Sequence, residues 1–460
     1  MSRGRVTWLC VLLFVVFGLA DYATLVGAEM AETTFDSGIF MRCANRSLLD
    51  PAFYSAIRPP TVPFFYKLVG GEPSAVLFVH SLLSVISWFA LGLVLASLFS
   101  NTALRGIVAT LTCAFSLTSP INQWDGVMMS ESIFLSLMAA TIAVSIFAGR
   151  RLLTTGKLNP GLAILWFVVS LLFVGSRDSA VYLFAIPWLS LLVWFVFTKV
   201  RKTNRGQRTT GIVSALIAGL VILFAAQVSL HSSQRWHTPL VNVVLKRVLP
   251  DAELHQSWMT RYDLPSNAIF EGQVDKFAWN RVPDNIQLRK LLGKSPKLAN
   301  IEKWLQTVGL SSYQRHLTFD EPVRSVREAI DSLDRSVNPI PPVGPGEREA
   351  SYSEGAGITS WSQMLTKALY FPLPAPFWVA LTVGLGAVLL VFKRSASRAP
   401  TVLTVCLIVG VGSQAFITWH GDTAEIARHT LVVGVLLRIA VGCAVAILID
   451  TLMKRESAPV

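Results

Sequence analysis

Charge is what this sequence has least of. Only 15% of its 460 residues are Asp, Glu, Lys or Arg, where soluble domains average about 25%. The shortfall is concentrated in long apolar runs, and 52% of the chain is hydrophobic. An ordinary soluble globular protein is therefore excluded. Cysteine is scarce as well. Of the five, Cys10, Cys113, Cys406 and Cys443 lie in apolar runs, where a thiol packs as a small hydrophobe. Cys43 alone lies in a polar stretch, so there is no disulfide framework. No Cys or His spacing matches a zinc site, and no internal repeat is present. The net charge of +12 comes without a basic run interleaved with aromatic residues. That argues against nucleic-acid binding; the excess Lys and Arg are better read as orienting a chain in a bilayer.

What is present is a series of apolar segments. A hydrocarbon core of about 30 Å takes roughly 20 helical residues. On that template the chain has about ten spans: Val6 to Val26, Ser74 to Leu98, Leu104 to Leu117, Glu131 to Phe147, Gly161 to Val174, Ala180 to Phe197, Gly211 to Leu230, Pro376 to Phe392, Thr401 to Trp419 and Thr430 to Met453. The first follows a basic start (Arg3, Arg5) but is long for a signal peptide and lacks a small-x-small exit, so it reads as an anchor. The expected fold is an all-α polytopic membrane protein. Residues 1–230 form a seven-span module and residues 368–460 a three-span module. Between them, residues 231–367 form a small, mainly helical outer domain.

Basic loops set the orientation. Gly149 to Arg151 with Lys157, Lys199 to Arg208, Lys393 to Arg398, and Lys454 with Arg455 all fall on the side of the basic N-terminus. That side is cytoplasmic by the positive-inside tendency, so both termini are expected there. The outer side then carries the first loop (residues 29–73), Thr118 to Ser130, Ser176 to Ser179, the long segment from His231 to Lys367, and His420 to His429. Within the long segment, Leu240, Val243, Val244, Val248, Trp258, Phe277, Trp304 and Leu305 recur at helical spacing, and Asn338 to Gly346 (NPIPPVGPG) reads as a stiff connector.

Ionisable residues inside membranes are costly and mark function. Here Asp21, His80, Glu131, Arg177, Asp178, Arg428 and His429 all sit at outer ends of spans, with Arg438 about two turns deeper. A secondary transporter places its site near the midplane, between helices broken at matching positions. This chain shows neither feature, and its polar groups converge on the outer rim.

Several motifs share that rim. Asp36 follows the first span, Arg58-Pro59-Pro60 precedes the second, Met129-Ser130-Glu131 opens the fourth, and Asp422 to His429 (DTAEIARH) precedes the last. In this order they resemble the GT-C superfamily of membrane glycosyltransferases, which includes the protein O-mannosyltransferases and bacterial lipid A aminoarabinose transferases. The resemblance spans the membrane part and not the outer domain. It implies a sugar donor carried on a polyprenyl phosphate and an acceptor glycan, lipid or protein of the cell envelope. It also implies that the first-loop acid, here Asp36, acts as the catalytic base or positions the reaction. Many relatives carry paired acids there; this chain has Asp36-Ser37, which weakens the case for the divalent cation (Mg or Mn) that some relatives use. No other cofactor is implied.

Each candidate has a plainer reading beside it. Asp36 is either the base or an N-cap of a loop helix. For the leaving phosphate, guanidinium forks suit paired oxygens: Arg428 with His429, Arg177, Arg235 and Arg58 are the candidates, against ordinary rim arginines, and Arg58 also reads as orienting the loop through its Pro-Pro neighbour. Glu131 binds sugar, holds an arginine, or sits in a first helical turn where the helix dipole favours acids. Asp125, beside Trp124, is a sugar-binding acid or a turn. Asp178 and Arg235 are further substrate-binding candidates, Trp236-His237 and Asp422 to Glu425 are candidates near the cavity mouth, and His80 is a ligand or a packed core histidine. The reading is a polyprenyl-phosphate-dependent glycosyltransferase of a bacterial inner membrane. The rivals are a transporter or flippase of lipid-linked sugars and a non-catalytic envelope-assembly subunit.

Overall fold

The computed structural model describes residues 3–25, 35–155, 158–200, 206–267, 269, 292, 294–337, 360–370, 373–391, 398–421 and 426–456. Among these the chain is all helical. A helix forms at each of the ten expected places. In chain order they are Arg3–Leu25, Pro73–Ala96, Thr102–Ser116, Ser130–Thr155, Pro160–Val174, Ala180–Val200, Gly206–Ser232, Ala375–Val391, Arg398–Gly421 and Ile426–Glu456. Length and apolarity sufficient to cross a bilayer are met by five stretches: Pro73–Ala96, Ser130–Arg151, Val213–Ser232, Pro400–Gly421 and His429–Lys454. Thr102–Ser116 and Ser119–Gly126 together make a sixth, bent by 54°. These helices are those of an integral membrane protein, and ten complete crossings remain an expectation from sequence.

The bend corrects one reading. In sequence Thr118 to Ser130 reads as a loop on the outer side. Instead Thr118, Ile121, Trp124, Asp125, Met128 and Met129 are all buried. Thr118 is extended and Pro120 follows inside the next short helix. Proline has no N–H to continue the previous helix and clashes with its last turn, so the chain turns inward there. Its polar groups are satisfied inside: the Asn122 amide donates to Asp21 at 2.8 Å, and Ser132 donates to Asp125.

The helix Pro73–Ala96 is central to the first module, with Trp88 and Leu91 fully enclosed. Gly92 lets Thr102–Ser116 approach closely, since a Cβ there would meet the Ala109 carbonyl at 3.1 Å. Small residues at such crossings are the usual solution where lipid supplies no hydrophobic drive between helices. Cys43 is buried rather than displayed in a loop.

The outer segment has its own core of Leu240, Val243, Val244, Val248, Trp258, Trp304, Leu305 and Tyr313. All but Tyr313 are positions that its helical spacing singles out; Phe277, also singled out, lies outside the described residues. So does the connector at 338–346. The last helix of this stretch, Ser360–Leu369, leaves the outer core. Its Ser362 donates to the Leu117 carbonyl at 2.8 Å, and Thr366 accepts from the Ser119 amide at 2.8 Å. It therefore seals the bend of the third span.

Candidate active site

The described residues of the first loop fold into three short helices, Phe35–Ala44, Pro51–Tyr54 and Thr61–Leu68. Asp50 caps the second, accepting from the Ala52 amide at 2.8 Å. Asp36 is within the first turn of the first helix rather than at its cap. Its carboxylate pairs with Arg58, whose guanidinium also lies 5.3 Å from the centre of the Phe40 ring. The pair is partly open, with 17% of the Asp36 and 29% of the Arg58 side chain exposed. Pro60 starts the helix Thr61–Leu68 immediately afterwards, which fixes the backbone that carries Arg58.

Three contacts dock this loop onto the helix ends beneath it. Ser37 donates to the Met128 carbonyl at 2.6 Å. The Thr61 amide donates to the Gly175 carbonyl at 2.9 Å. The Tyr66 hydroxyl reaches the Met129 carbonyl at 3.4 Å. Gly175 is required at that contact, because a Cβ would lie 2.6 Å from the Thr61 hydroxyl.

Met128 and Gly175 precede a second acid–base pair. Arg177 lies 3.3 Å from Glu131, whose side chain is completely enclosed. Ser130 donates to the other Glu131 oxygen at 3.2 Å. The Arg177 guanidinium sits 5.4 Å from the Phe134 ring, which stacks on Phe173. Burial first, and the Glu131 carboxylate second, push the Tyr66 phenol well above its ordinary pKa, so it stays a neutral donor.

A third pair closes the rim. Arg235 grips Asp178 through Nε at 3.0 and 3.1 Å, donates to the Ala56 carbonyl at 3.1 Å, and reaches Ser229 at 3.2 Å. One guanidinium thus ties together the first loop, the turn after Val174 and the outer end of Gly206–Ser232. This is the forked geometry that arginine alone supplies.

Six of the candidates therefore pair with one another. Asp36, Glu131 and Asp178 each hold one of Arg58, Arg177 and Arg235. His80 and Asp125 belong to a deeper buried cluster. His80 lies against the backbone of Trp124 and Asp125 and near Glu131, 5.9 Å ring to ring from Tyr66. Asp125 takes hydrogen bonds from Ser132 and Ser84, and Asp21 takes them from Ser81 and Asn122. The serines and Asn122 were missed from sequence. A signal existed, since His80, Ser84 and Ser87 recur at helical spacing and are all buried. The Arg428 side chain lies outside the described residues, as do Asp422 to Glu425. His429 opens the last apolar stretch, and its carbonyl accepts from Thr418 at 3.4 Å. Among the described residues no group of three His, Cys, Asp or Glu side chains is arranged to hold a metal.

Arg438, expected as a deep rim charge, is a structural knot. It donates to the carbonyls of Val337, Gly434 and Tyr370 at 2.9 to 3.0 Å, and it lies 3.7 Å from the Tyr370 ring and 4.8 Å from the Trp378 ring.

No protein-family model matches the chain, and no curated protein does. Among solved structures it is similar to an oligosaccharyltransferase, AglB, from Archaeoglobus fulgidus, in complex with an inhibitory peptide and a dolichol-phosphate. There the identity is 13% and the TM-score 0.48, over 99% of this chain and 52% of that one. It is also similar to the apo form of the oligosaccharyltransferase of that organism, at 13% identity and a TM-score of 0.49, with the same coverage. The chain thus spans about half the length of those proteins.

Proposed function

We propose that this protein is a membrane glycosyltransferase that moves a sugar from a polyprenyl phosphate to an envelope acceptor on the extracytoplasmic side. The observation that carries this reading is the docking of the Asp36–Arg58 pair, through Ser37 and Met128, over the enclosed Glu131–Arg177 pair. An acid and an arginine, both partly open, stand on a rigid rim.

In this reading Arg58 holds Asp36 at rest. A donor phosphate competes for the guanidinium, which binds phosphate oxygens in pairs. Asp36 is then free to accept a proton. The acceptor hydroxyl attacks the anomeric carbon, the carbon–oxygen bond to phosphate breaks, and the hydroxyl proton passes to Asp36. The polyprenyl phosphate leaves with the electron pair, and arginine stabilises its charge. A single displacement of this kind inverts the anomeric centre. Arg177 is neutralised by Glu131, so its part is to hold the floor of the site. Arg428 and His429 are the further arginine and donor expected at the phosphate. The membrane is taken to be a bacterial inner membrane with both termini cytoplasmic.

The test is a mass-spectrometric profile of envelope glycans and lipid-linked sugars from cells with and without the gene. Transfer predicts an acceptor lacking one sugar while its lipid-linked donor accumulates. An unchanged set of acceptor glycans would defeat the proposal.

A further inference from the structure

The helix Pro322–Asp331 in the outer segment divides its circumference into three. Ser325 and Ala329 are buried against protein. Arg324 and Glu328 pair along one flank at 2.8 Å, and Arg324 also reaches Asp251 at 2.6 Å. The third face carries Val323, Val326 and Ile330, which are 80%, 50% and 61% exposed, and Phe319 just before the helix is 80% exposed. Spacings of three and four residues put the three aliphatic side chains on one side. Each such side chain is more favourably placed in an apolar phase than in water. A row of them beside a charged flank is therefore a poor surface for water.

Three ties show where this helix sits. His420, one residue from the end of Arg398–Gly421, places Nε2 2.9 Å from the Ser325 carbonyl. Asp334 accepts from the Ala375 amide, the first residue of Ala375–Val391. The Val337 carbonyl accepts from Arg438 at 2.9 Å. Arg438 lies well inside the apolar stretch that begins at His429, about 14 Å of helical rise below it. The segment therefore starts at the outer ends of the last membrane helices and descends alongside them. Arg398–Gly421, to whose end this helix is tied, is itself long and apolar, with Val402, Val405 and Val409 exposed further down. Arg327, exposed on the neighbouring flank, suits lipid phosphates.

We infer that the Phe319–Ile330 face is immersed in the outer leaflet of the bilayer, at the boundary of headgroups and acyl chains, as an interfacial amphipathic helix. The occupant is lipid because the helix that bears the face is tied to the end of one long apolar helix, and the chain after it runs along another. An aliphatic row with a charged flank is also the composition that binds this boundary.

The test uses the full chain in phosphatidylcholine–phosphatidylglycerol nanodiscs. Val326→Cys, with the five native cysteines replaced by alanine, carries an environment-sensitive NBD fluorophore. Lipids bearing a spin label near the headgroup should quench it, by roughly twofold more than aqueous iodide does. In parallel, the unaltered chain is photolabelled with a diazirine phospholipid, and the peptide containing residues 319–330 should carry the lipid adduct. Quenching by iodide without quenching by lipid overturns the inference, because the face is then in water. Protection from both quenchers together with an unlabelled peptide also overturns it, because protein then covers the face.

Discussion

Glu131 holds Arg177 at 3.3 Å with none of its own side chain open to solvent. Removing one partner of such a pair strands a buried charge, which costs about 3–5 kcal/mol, whereas replacing both with apolar groups is far milder. Glu131→Gln and Arg177→Met should each lower the unfolding temperature of the purified protein sharply. The double variant should fall by less than the sum. Additive losses in the thermal melts would mean that the two side chains do not depend on each other.

Arg438 answers for three backbone carbonyls at once. Arg438→Met leaves the Val337 and Tyr370 carbonyls without this donor, at about 1–3 kcal/mol per stranded group. Limited proteolysis should then cut faster in the chain on either side of Val337. Arg438→Lys should not restore protection, since a single ammonium lacks the planar fork that spans two carbonyls and stacks on Tyr370. Full protection in the lysine variant would refute this role.

His316 lies in the outer core beside the Trp258 ring, 5.6 Å centre to centre. Burial first, then the Arg324 guanidinium, hold its pKa below the ordinary 6.5, against the opposing pull of Glu321, Glu328 and Asp320. The unfolded chain therefore takes up a proton near pH 6.5 that the folded domain resists. Folding stability should fall as pH drops from about 7 towards 5. His316→Gln should flatten that part of the stability curve, as measured by denaturant melts across the range. An unchanged slope would assign the pH dependence to other groups.

The apolar runs made the ten helix positions readable, because length and composition alone set them. The helical spacing of Leu240, Val243, Val244, Val248, Trp258, Trp304 and Leu305 found the outer core for the same reason. The inward turn after Leu117 was not readable. Residues 118–129 look polar enough for a loop, and they are buried only because Asn122 and Asp125 find partners on other helices. The candidate residues could be named one by one from sequence, but the ion pairs among them could not. Arg58 and Asp36 are 22 positions apart, and Arg235 and Asp178 are 57 apart. No local pattern announces which acid meets which arginine.

The most direct measurement is complementation of cells lacking the gene, read by the mass of the envelope glycans, with matched membrane levels of wild-type protein and of Asp36→Asn. A general base contributes about 10²–10⁴ in rate. The wild type should restore the missing sugar, and Asp36→Asn should leave it missing although inserted and folded like the wild type. Restoration of the sugar by Asp36→Asn would contradict the account.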